Sequence, residues 1–201
     1  MAELLEQDSA LPSYETDDAK EQREALEPVR VLHCGAMHLR KAGAKYLPME
    51  PAEKAPDYTN RLSRAILHNV FDRTLHALVG MVFRKDPHFC DDVPPAIAGV
   101  ETVEDGQPGH QEGIGENIDR AGNHWTVFAK EFFMKAMRDG HAFIFVDMPP
   151  ALPPGASRAD EIAMGHRPYW VCYEKDQAIN WRFEGERLSQ ITFREKTCEP
   201  D

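Results

Sequence analysis

A few histidine, cysteine and carboxylate side chains in this chain have types and spacings that could do chemistry. The segment HCGAMH places His33, Cys34 and His38 close together, as in half of a zinc site. No second pair of ligands follows at the spacing of a zinc finger. We therefore predict no bound metal.

Carboxylates near predicted strand ends are the next candidates. Asp147 follows the apolar run Ala142–Val146, as the metal-binding aspartate of a nucleotide hydrolase does, but no Gly-Lys-Ser/Thr phosphate loop is present. Glu174 and Asp176 lack the spacing of a nuclease carboxylate cluster. The chain has neither a Gly-x-Ser-x-Gly elbow nor a His-Glu-x-x-His motif. We predict no catalytic residue, no cofactor and no enzymatic activity.

Composition excludes several classes of protein. No window of the chain approaches the ~18 consecutive apolar residues of a membrane-spanning helix, so no membrane partner is expected. Cys34, Cys90, Cys172 and Cys198 form no Cys-x-x-Cys pair, which is typical of reduced thiols in an intracellular setting. A net charge of −11 argues against a general nucleic-acid-binding protein.

The charge is unevenly distributed along the chain. Residues 31–87 carry nine bases and five acids, a net charge of +4, whereas residues 88–120 carry eight acids and one base, a net charge of −7. Residues 1–30 are also acidic, with a net charge of −6. This pattern either supports complementary packing between neighbouring copies or arises by chance.

Hydrophobic periodicity predicts an α+β fold, with helices first and a small mixed or antiparallel sheet after them. A disordered acidic tail (1–16) is expected before one domain (17–195) and a C-terminal tail (196–201). The predicted helices are Asp17–Arg30, Ala36–Lys41, Asp57–Val79, His124–Asp139 and Ser157–Met164. The predicted strands are His141–Asp147, Pro168–Glu174, Ala178–Glu184 and Leu188–Arg194.

Two of these helices carry the clearest signals. Asp57–Val79 has an apolar stripe at steps of three and four, a C-cap at Gly80 and then a short extended segment, Met81–Phe83. His124–Asp139, capped by Asn123, presents a wide aromatic face. The stripe of the first helix comprises Tyr58, Leu62, Ala65, Ile66, Val70, Phe71, Leu75 and Leu78.

The predicted strands differ in how they should be buried. His141–Asp147 is continuously apolar, which predicts a central strand buried on both faces. Ala178–Glu184 alternates apolar and polar residues, as a half-buried strand does. The acidic, glycine-rich segment 88–122 is predicted to be a solvated loop. The helices should pack, with Phe132 in the core, on Phe143, Ile144, Tyr169, Val171, Ile179, Trp181 and Phe193.

Four segments occur in an order and spacing that resemble a known family. They are AGAKYLP (Ala42–Pro48), a segment ending in FRKDP (Tyr58–Pro87), one ending in FIFVDMP (Glu116–Pro149) and RPYWVCYEKDQAINWRFE (Arg167–Glu184). Together they are similar to the N-terminal part of a tailed-bacteriophage portal-like family, the head-to-tail connectors, catalogued as a phage domain of unknown function. The resemblance extends over residues 36–195.

The resemblance implies a wing-like fold and a structural role in a ring, commonly of twelve copies, at one capsid vertex. Its expected partners are other copies of the subunit, together with terminase, capsid and tail proteins, and DNA passes through the ring as cargo. The expected location is the virion, or the bacterial host cytoplasm for a prophage product. Portal proteins are typically more than twice this length, so the chain resembles an N-terminal fragment.

Four cations of the basic block are candidates for subunit contacts. Arg61 and Arg64 lie on the polar face of the predicted helix Asp57–Val79, and Arg84 and Lys85 follow its end. The last two would meet an acidic neighbour or, equally, keep a strand end solvated.

Two alternative functions stay open on the residues alone. One is a prophage-encoded, metal-dependent nuclease or hydrolase that acts through Asp147 or Glu174, and the other is a small acidic adaptor protein. Without the stem and clip contacts of a full-length subunit, we expect this chain to be a monomer or a weak, salt-sensitive oligomer.

Overall fold

A computed structural model describes residues 13–90, 92–104 and 107–195 and confirms the α+β class. Its helices are α1 (Asp17–Cys34), α2 (Ala36–Ala42), α3 (Ala55–Arg64), α4 (Val70–Val82), α5 (Pro95–Ala98), α6 (Trp125–Asp139) and α7 (Arg158–Ala163). Its strands are β1 (Val100–Glu104), β2 (Gln107–Gln111), β3 (Ala142–Asp147), β4 (Tyr169–Glu174), β5 (Ala178–Glu184) and β6 (Arg187–Phe193). Short 3-10 helices lie at Gly43–Lys45, Ile114–Asn117 and Lys175–Gln177.

The start of α1 is attached to the β-rich half of the chain. The Thr16 side chain caps the helix by accepting a hydrogen bond from the Ala19 N–H at 3.3 Å. The Thr16 N–H donates to the Ile179 carbonyl of β5 at 3.0 Å. The predicted tails lie outside the described residues, apart from the last four residues of 1–16, and 196–201 lies outside them entirely.

The predicted single helix Asp57–Val79 is wrong, because α3 and α4 are separate helices. Ala65 leaves the helical conformation at ψ 128°, and its carbonyl accepts a hydrogen bond from Arg40 Nε at 2.8 Å. Asn69 then caps α4, since its side-chain oxygen accepts from the Asp72 N–H at 3.0 Å. The hydrogen bonds of Ala65 and Asn69 thus end one helix and start another, although the apolar periodicity of the sequence continues through the break.

The predicted C-cap at Gly80 and the extended segment Met81–Phe83 are also wrong. α4 passes through Gly80 without a positive φ and ends at Val82. The Phe83 ring lies edge-on to Phe133 of α6, with ring centroids 5.7 Å apart. This aromatic contact keeps the final turn of α4 beside α6.

Helix α6 carries the aromatic core of the domain. It is capped by His124 rather than by the predicted Asn123, because the His124 ring accepts a hydrogen bond from the Thr126 N–H at 3.3 Å. Phe128 is buried and meets Trp170 of β4 edge-on at 5.6 Å between centroids. The aromatic face of α6 therefore packs on the β3–β4 pair, as expected from its spacing.

The predicted solvated loop 88–122 is wrong in part, since it contains α5, the antiparallel β1–β2 pair and a 3-10 helix. Gly113 explains how the chain returns over α5. A Cβ atom at this position would lie 2.2 Å from the Gly99 nitrogen and 2.4 Å from the Ile97 carbonyl oxygen. Only glycine permits such a close approach of two backbone segments.

The strands form two-stranded antiparallel pairs instead of the single sheet that the sequence predicts. In the β3–β4 pair, Phe143 lies opposite Tyr173. Phe193, at the end of β6, stacks on Tyr173 at 4.2 Å and meets Phe143 edge-on at 5.2 Å. The β5–β6 pair is thereby joined to one face of β3–β4 through aromatic rings.

Strand β3 is not the doubly buried central strand predicted at His141–Asp147. Among the described strands it pairs with β4 alone. Ile144, Phe145 and Val146 are 40%, 45% and 59% exposed. A continuous apolar run marks burial only when segments cover both faces, and the described part of the chain supplies too few of them.

The buried apolar core is small and joins the helices to the strands. Its residues are Ala19, Leu26, Leu75, Val79, Ile118, Phe128, Tyr173, Ala178 and Ile179. The helices α1, α4 and α6 contribute most of them and contact one another. In the parts of the chain that the structure describes, no helix has both the length and the apolarity to cross a membrane.

Candidate functional site

Helix α4 is apolar on its buried side and also on its exposed side. Leu75 and Val79 are four residues apart and face inward, with 5% and 1% exposure. The outward side is also apolar, although several of its residues belong to the stripe predicted to be buried. Its exposed members, which we call the α4 surface, are Val70, Phe71, Leu78, Met81 and Val82.

Arginine and lysine side chains border the α4 surface. Arg73 lines a groove that also includes His68, Val70, Thr74, Ala77 and Leu78. Arg84 and Lys85 are exposed just beyond the end of the helix, and neither forms an ion pair with a described residue. The structure therefore places two of the predicted contact residues beside exposed hydrocarbon. Such a surface suits a partner with an apolar centre and acidic edges.

The other two predicted contact residues lie on α3. Arg61 is held within the chain, because its guanidinium donates to both Glu53 carboxylate oxygens at 2.8 Å and to the Pro48 carbonyl at 2.9 Å. The hydrogen bonds from Arg61 lower the pKa of the Glu53 carboxyl. Arg64 is exposed in the last turn of α3, where the helix dipole stabilises a cation. The break between α3 and α4 separates this pair from Arg84 and Lys85 in the chain.

A histidine–aspartate cluster attaches α4 to α1. His33 Nδ1 lies 2.8 Å and His76 Nδ1 3.3 Å from Asp72 Oδ1, and the two imidazole rings stack with centroids 6.2 Å apart. His33 thus contacts Asp72, not a metal-ligand partner from the HCGAMH segment. Among the described residues, no three His, Cys, Asp or Glu side chains are grouped to hold a metal ion.

A second cluster, which we call the ionic network, joins α1, α6 and the end of β4. Its members are Arg30, Lys135, Arg138, Asp139, Glu174 and Asp176. The Asp139 side chain is fully buried and accepts hydrogen bonds from Arg138 at 2.7 and 2.8 Å and from Arg30 at 2.9 Å. Arg138 and Arg30 also reach Glu174, each at 2.8 Å.

The network controls the charge state of its buried members. Burial alone would raise the pKa of the Asp139 carboxyl, but hydrogen bonds and charges from Arg138 and Arg30 outweigh it and hold that pKa below its ordinary value. The hydrogen bond to Asp139 raises the pKa of the Arg138 guanidinium. Asp139 and Arg138 therefore stay ionised at neutral pH and bind each other.

Sequence reasoning missed the ionic network. It assigned no contact to Arg138 and treated Asp139 only as the end of the predicted helix, since charged residues at a helix terminus are usually solvated. One available signal was the pair Arg138–Asp139 directly before the helix-ending Gly140, together with Glu174 at the end of β4. That signal is weak unless one knows that Arg30 forms ion pairs with both Asp139 and Glu174.

The carboxylates of the alternative enzymatic function lie apart. Asp147 accepts hydrogen bonds from the Tyr169 hydroxyl at 2.7 Å and from the Met148 N–H at 2.8 Å, and the Tyr169 bond is the main cause of its lowered pKa. Glu174 belongs to the ionic network at the opposite end of the β3–β4 pair. At ~3.3 Å per residue, the two lie roughly 17 Å apart along the strands.

Comparison with known proteins gives no match for this chain, either with a protein-family model or with a curated protein sequence. The features that bear on function are therefore those of the chain itself. They are the α4 surface with its cationic border and the edge of β3 that no described strand pairs with.

Proposed function

We propose that this chain is the N-terminal, wing-like part of a portal-like subunit, which assembles into a ring at a phage capsid vertex and takes part in head assembly and DNA passage. Its partners are other copies of the subunit and, through the ring, terminase, capsid and tail proteins. It acts in the virion, or in the host cytoplasm when made from a prophage. The order of the portal-like segments over residues 36–195 motivates the proposal.

The observation that carries the proposal is the α4 surface. Met81 and Val82 are 72% and 59% exposed, next to the exposed cations Arg84 and Lys85. Leaving apolar area in water has a free-energy cost that association removes. A helix with a buried face and a second apolar face is therefore suited to a protein partner, which is what a structural subunit requires.

A ring of this kind needs two different complementary surfaces on each copy, one for each neighbour. The α4 surface lies in the basic block 31–87, whereas residues 88–120 carry a net charge of −7. We expect an acidic surface of one neighbour to face the α4 surface. Exposed ion pairs contribute only ~0–1 kcal/mol each and are screened by salt, so contacts of this type should be weak in the isolated chain.

The test measures association of the purified chain by light scattering behind a sizing column, at low and at high salt. We expect a salt-sensitive association at low salt that the double variant Leu78→Gln/Met81→Gln weakens. The matched control is Ile66→Gln, since Ile66 is 90% exposed but lies between α3 and α4. Equal association of the double variant and the wild type would contradict a role for the α4 surface.

The nuclease alternative has its own test. We expect no magnesium- or manganese-dependent turnover of DNA or ATP by the purified chain. Reproducible turnover that Asp147→Asn or Glu174→Gln removes, with the fold retained by circular dichroism, would replace the structural function with an enzymatic one.

A further inference from the structure

The second edge of β3 consists of backbone groups that point away from β4. The Trp170 N–H donates to the Ile118 carbonyl at 2.9 Å, so Trp170 points its backbone away from β3. Antiparallel pairing alternates between residues that bond their partner and residues that do not. Val146, opposite Trp170, therefore directs its N–H and C=O outward, and so do Ile144 and Ala142.

These outward groups have no partner among the described residues, where every backbone hydrogen bond of β3 goes to β4. Most edge strands carry a lysine, a proline or a bulge that prevents pairing with another chain. β3 has none of these between Ala142 and Asp147, and its register against β4 is regular. Ile144, Phe145 and Val146 are also at least 40% exposed. Within the described part of the chain, the edge is thus unpaired, regular and apolar.

We propose that β3 pairs, antiparallel and across a twofold axis at Ile144, with β3 of a second copy of this chain. Ala142 then lies opposite Val146 of the second copy, and Phe143 lies opposite its Phe145. In this register, the outward residues Ala142, Ile144 and Val146 of each strand all lie opposite outward residues of the other strand. If the register shifted by two residues, only two of the three would. The two β3–β4 pairs become one four-stranded sheet.

The side chains of the strand fit this register. Phe143 and Phe145 form an aromatic pair across the strands, and such pairs stabilise antiparallel sheets. The small Ala142 of one copy lies opposite the branched Val146 of the second copy. Val146 is exposed in the monomer, whereas Ala142 is half-buried. At the ends of the strand, His141 lies opposite Asp147 of the second copy, so that an imidazole faces a carboxylate at both ends of the pairing.

This pairing is independent of the proposed function. A twofold contact closes at two copies, whereas the α4 surface would make a heterologous contact that leads to a ring. The β3 contact consists of backbone hydrogen bonds and apolar side chains, so it should persist at high salt. Contacts through the cationic border of α4 should weaken there. The two surfaces can therefore be distinguished in one salt series.

The first experiment is sedimentation equilibrium of the purified chain in high salt, over a range of concentrations. We expect a reversible dimer. Ile144→Lys places two ammonium groups opposite each other at the twofold axis and should raise the dissociation constant about tenfold or more. Ile66→Lys makes the same change at an exposed site outside β3 and should leave the dissociation constant unchanged.

Ile144→Pro supplies a second variant in case the lysine disturbs folding. It removes an outward N–H while the bonds from Phe143 and Phe145 to β4 remain, and proline is tolerated on such an edge. It should also prevent the dimer. Thermal unfolding and circular dichroism of each variant check that the monomer is folded.

Hydrogen exchange locates the contact. The Ile144 and Val146 amides should exchange more slowly as the protein concentration rises, while those of Phe143 and Phe145 should be protected at every concentration. A chain that stays monomeric at its highest soluble concentration would overturn the proposal. So would a dimer that Ile144→Lys and Ile66→Lys weaken equally, or concentration-dependent protection outside β3.

Discussion

The ionic network and the α4 surface reverse the usual distribution of side chains in a small domain. The Asp139 side chain has no solvent exposure, whereas Met81 is 72% exposed. Buried charges are costly to leave unpaired, so they fix which segments may meet. Exposed hydrocarbon contributes little to folding of the monomer and becomes useful only on association. The first region therefore stabilises the monomer, and the second is available for partners.

The largest expected effect is that of Asp139→Ala on stability. The substitution leaves the guanidinium groups of Arg30 and Arg138 without their buried partner, which should cost about 3–5 kcal/mol of unfolding free energy. Urea denaturation measures the loss. The control Glu186→Ala, at an exposed turn, should change stability by less than about 0.5 kcal/mol. A loss below about 1 kcal/mol at Asp139 would show that the ionic network does not hold the monomer together.

The next effect concerns the aromatic side of α6. Phe128 is buried, so Phe128→Ala should cost about 3 kcal/mol. Phe132 and Trp181 are half-buried rather than fully buried, and replacing either by alanine should cost only about 1–2 kcal/mol. Thermal unfolding of the three variants gives the order. Equal losses at Phe128 and Phe132 would mean that the inner side of α6 is wrongly assigned.

Sequence patterns predicted those elements whose signals are local. β5 has the predicted bounds, Ala178–Glu184, although its burial falls from Ala178 to Glu184 along the strand instead of alternating between two faces, as the sequence predicted. The break after Ala65 was missed because it depends on Arg40, which reaches it from α2. Burial of Asp139 was missed for the same reason, since its partner Arg30 lies on a different helix.

The candidate site was predictable in part. The exposed pair Arg84 and Lys85 could be identified from the charge pattern, but the exposure of the apolar residues before it could not. A helix period shows which residues share a face and does not show whether another segment covers that face. The same limit applies to β3, where a continuous apolar run predicted burial on both sides.

Acid should weaken the ionic network. The pKa of Asp139 is lowered in the folded chain, so its ionised form adds stability that is complete at neutral pH and is lost as the pH falls below about 4, the ordinary range of aspartate. Unfolding free energies of the wild type and Asp139→Asn, measured from neutral pH downward, should converge on acidification. A constant difference between them would contradict the assigned charge state.

The smallest expected effect on stability is that of Met81→Gln. This variant tests whether the α4 surface, unlike the ionic network, contributes little to the stability of the monomer. Glutamine has nearly the same length and helix propensity as methionine, so the helix itself should not be weakened. Because Met81 is 72% exposed, the substitution removes little buried area, and the unfolding free energy should change by no more than about 0.5 kcal/mol. Association at low salt should nevertheless weaken, since the side chain belongs to the α4 surface. Urea denaturation and light scattering on one preparation measure both quantities. If unfolding changed by more than about 1 kcal/mol, the side chain would be buried within the monomer, and the α4 surface would be part of the core rather than a contact for partners.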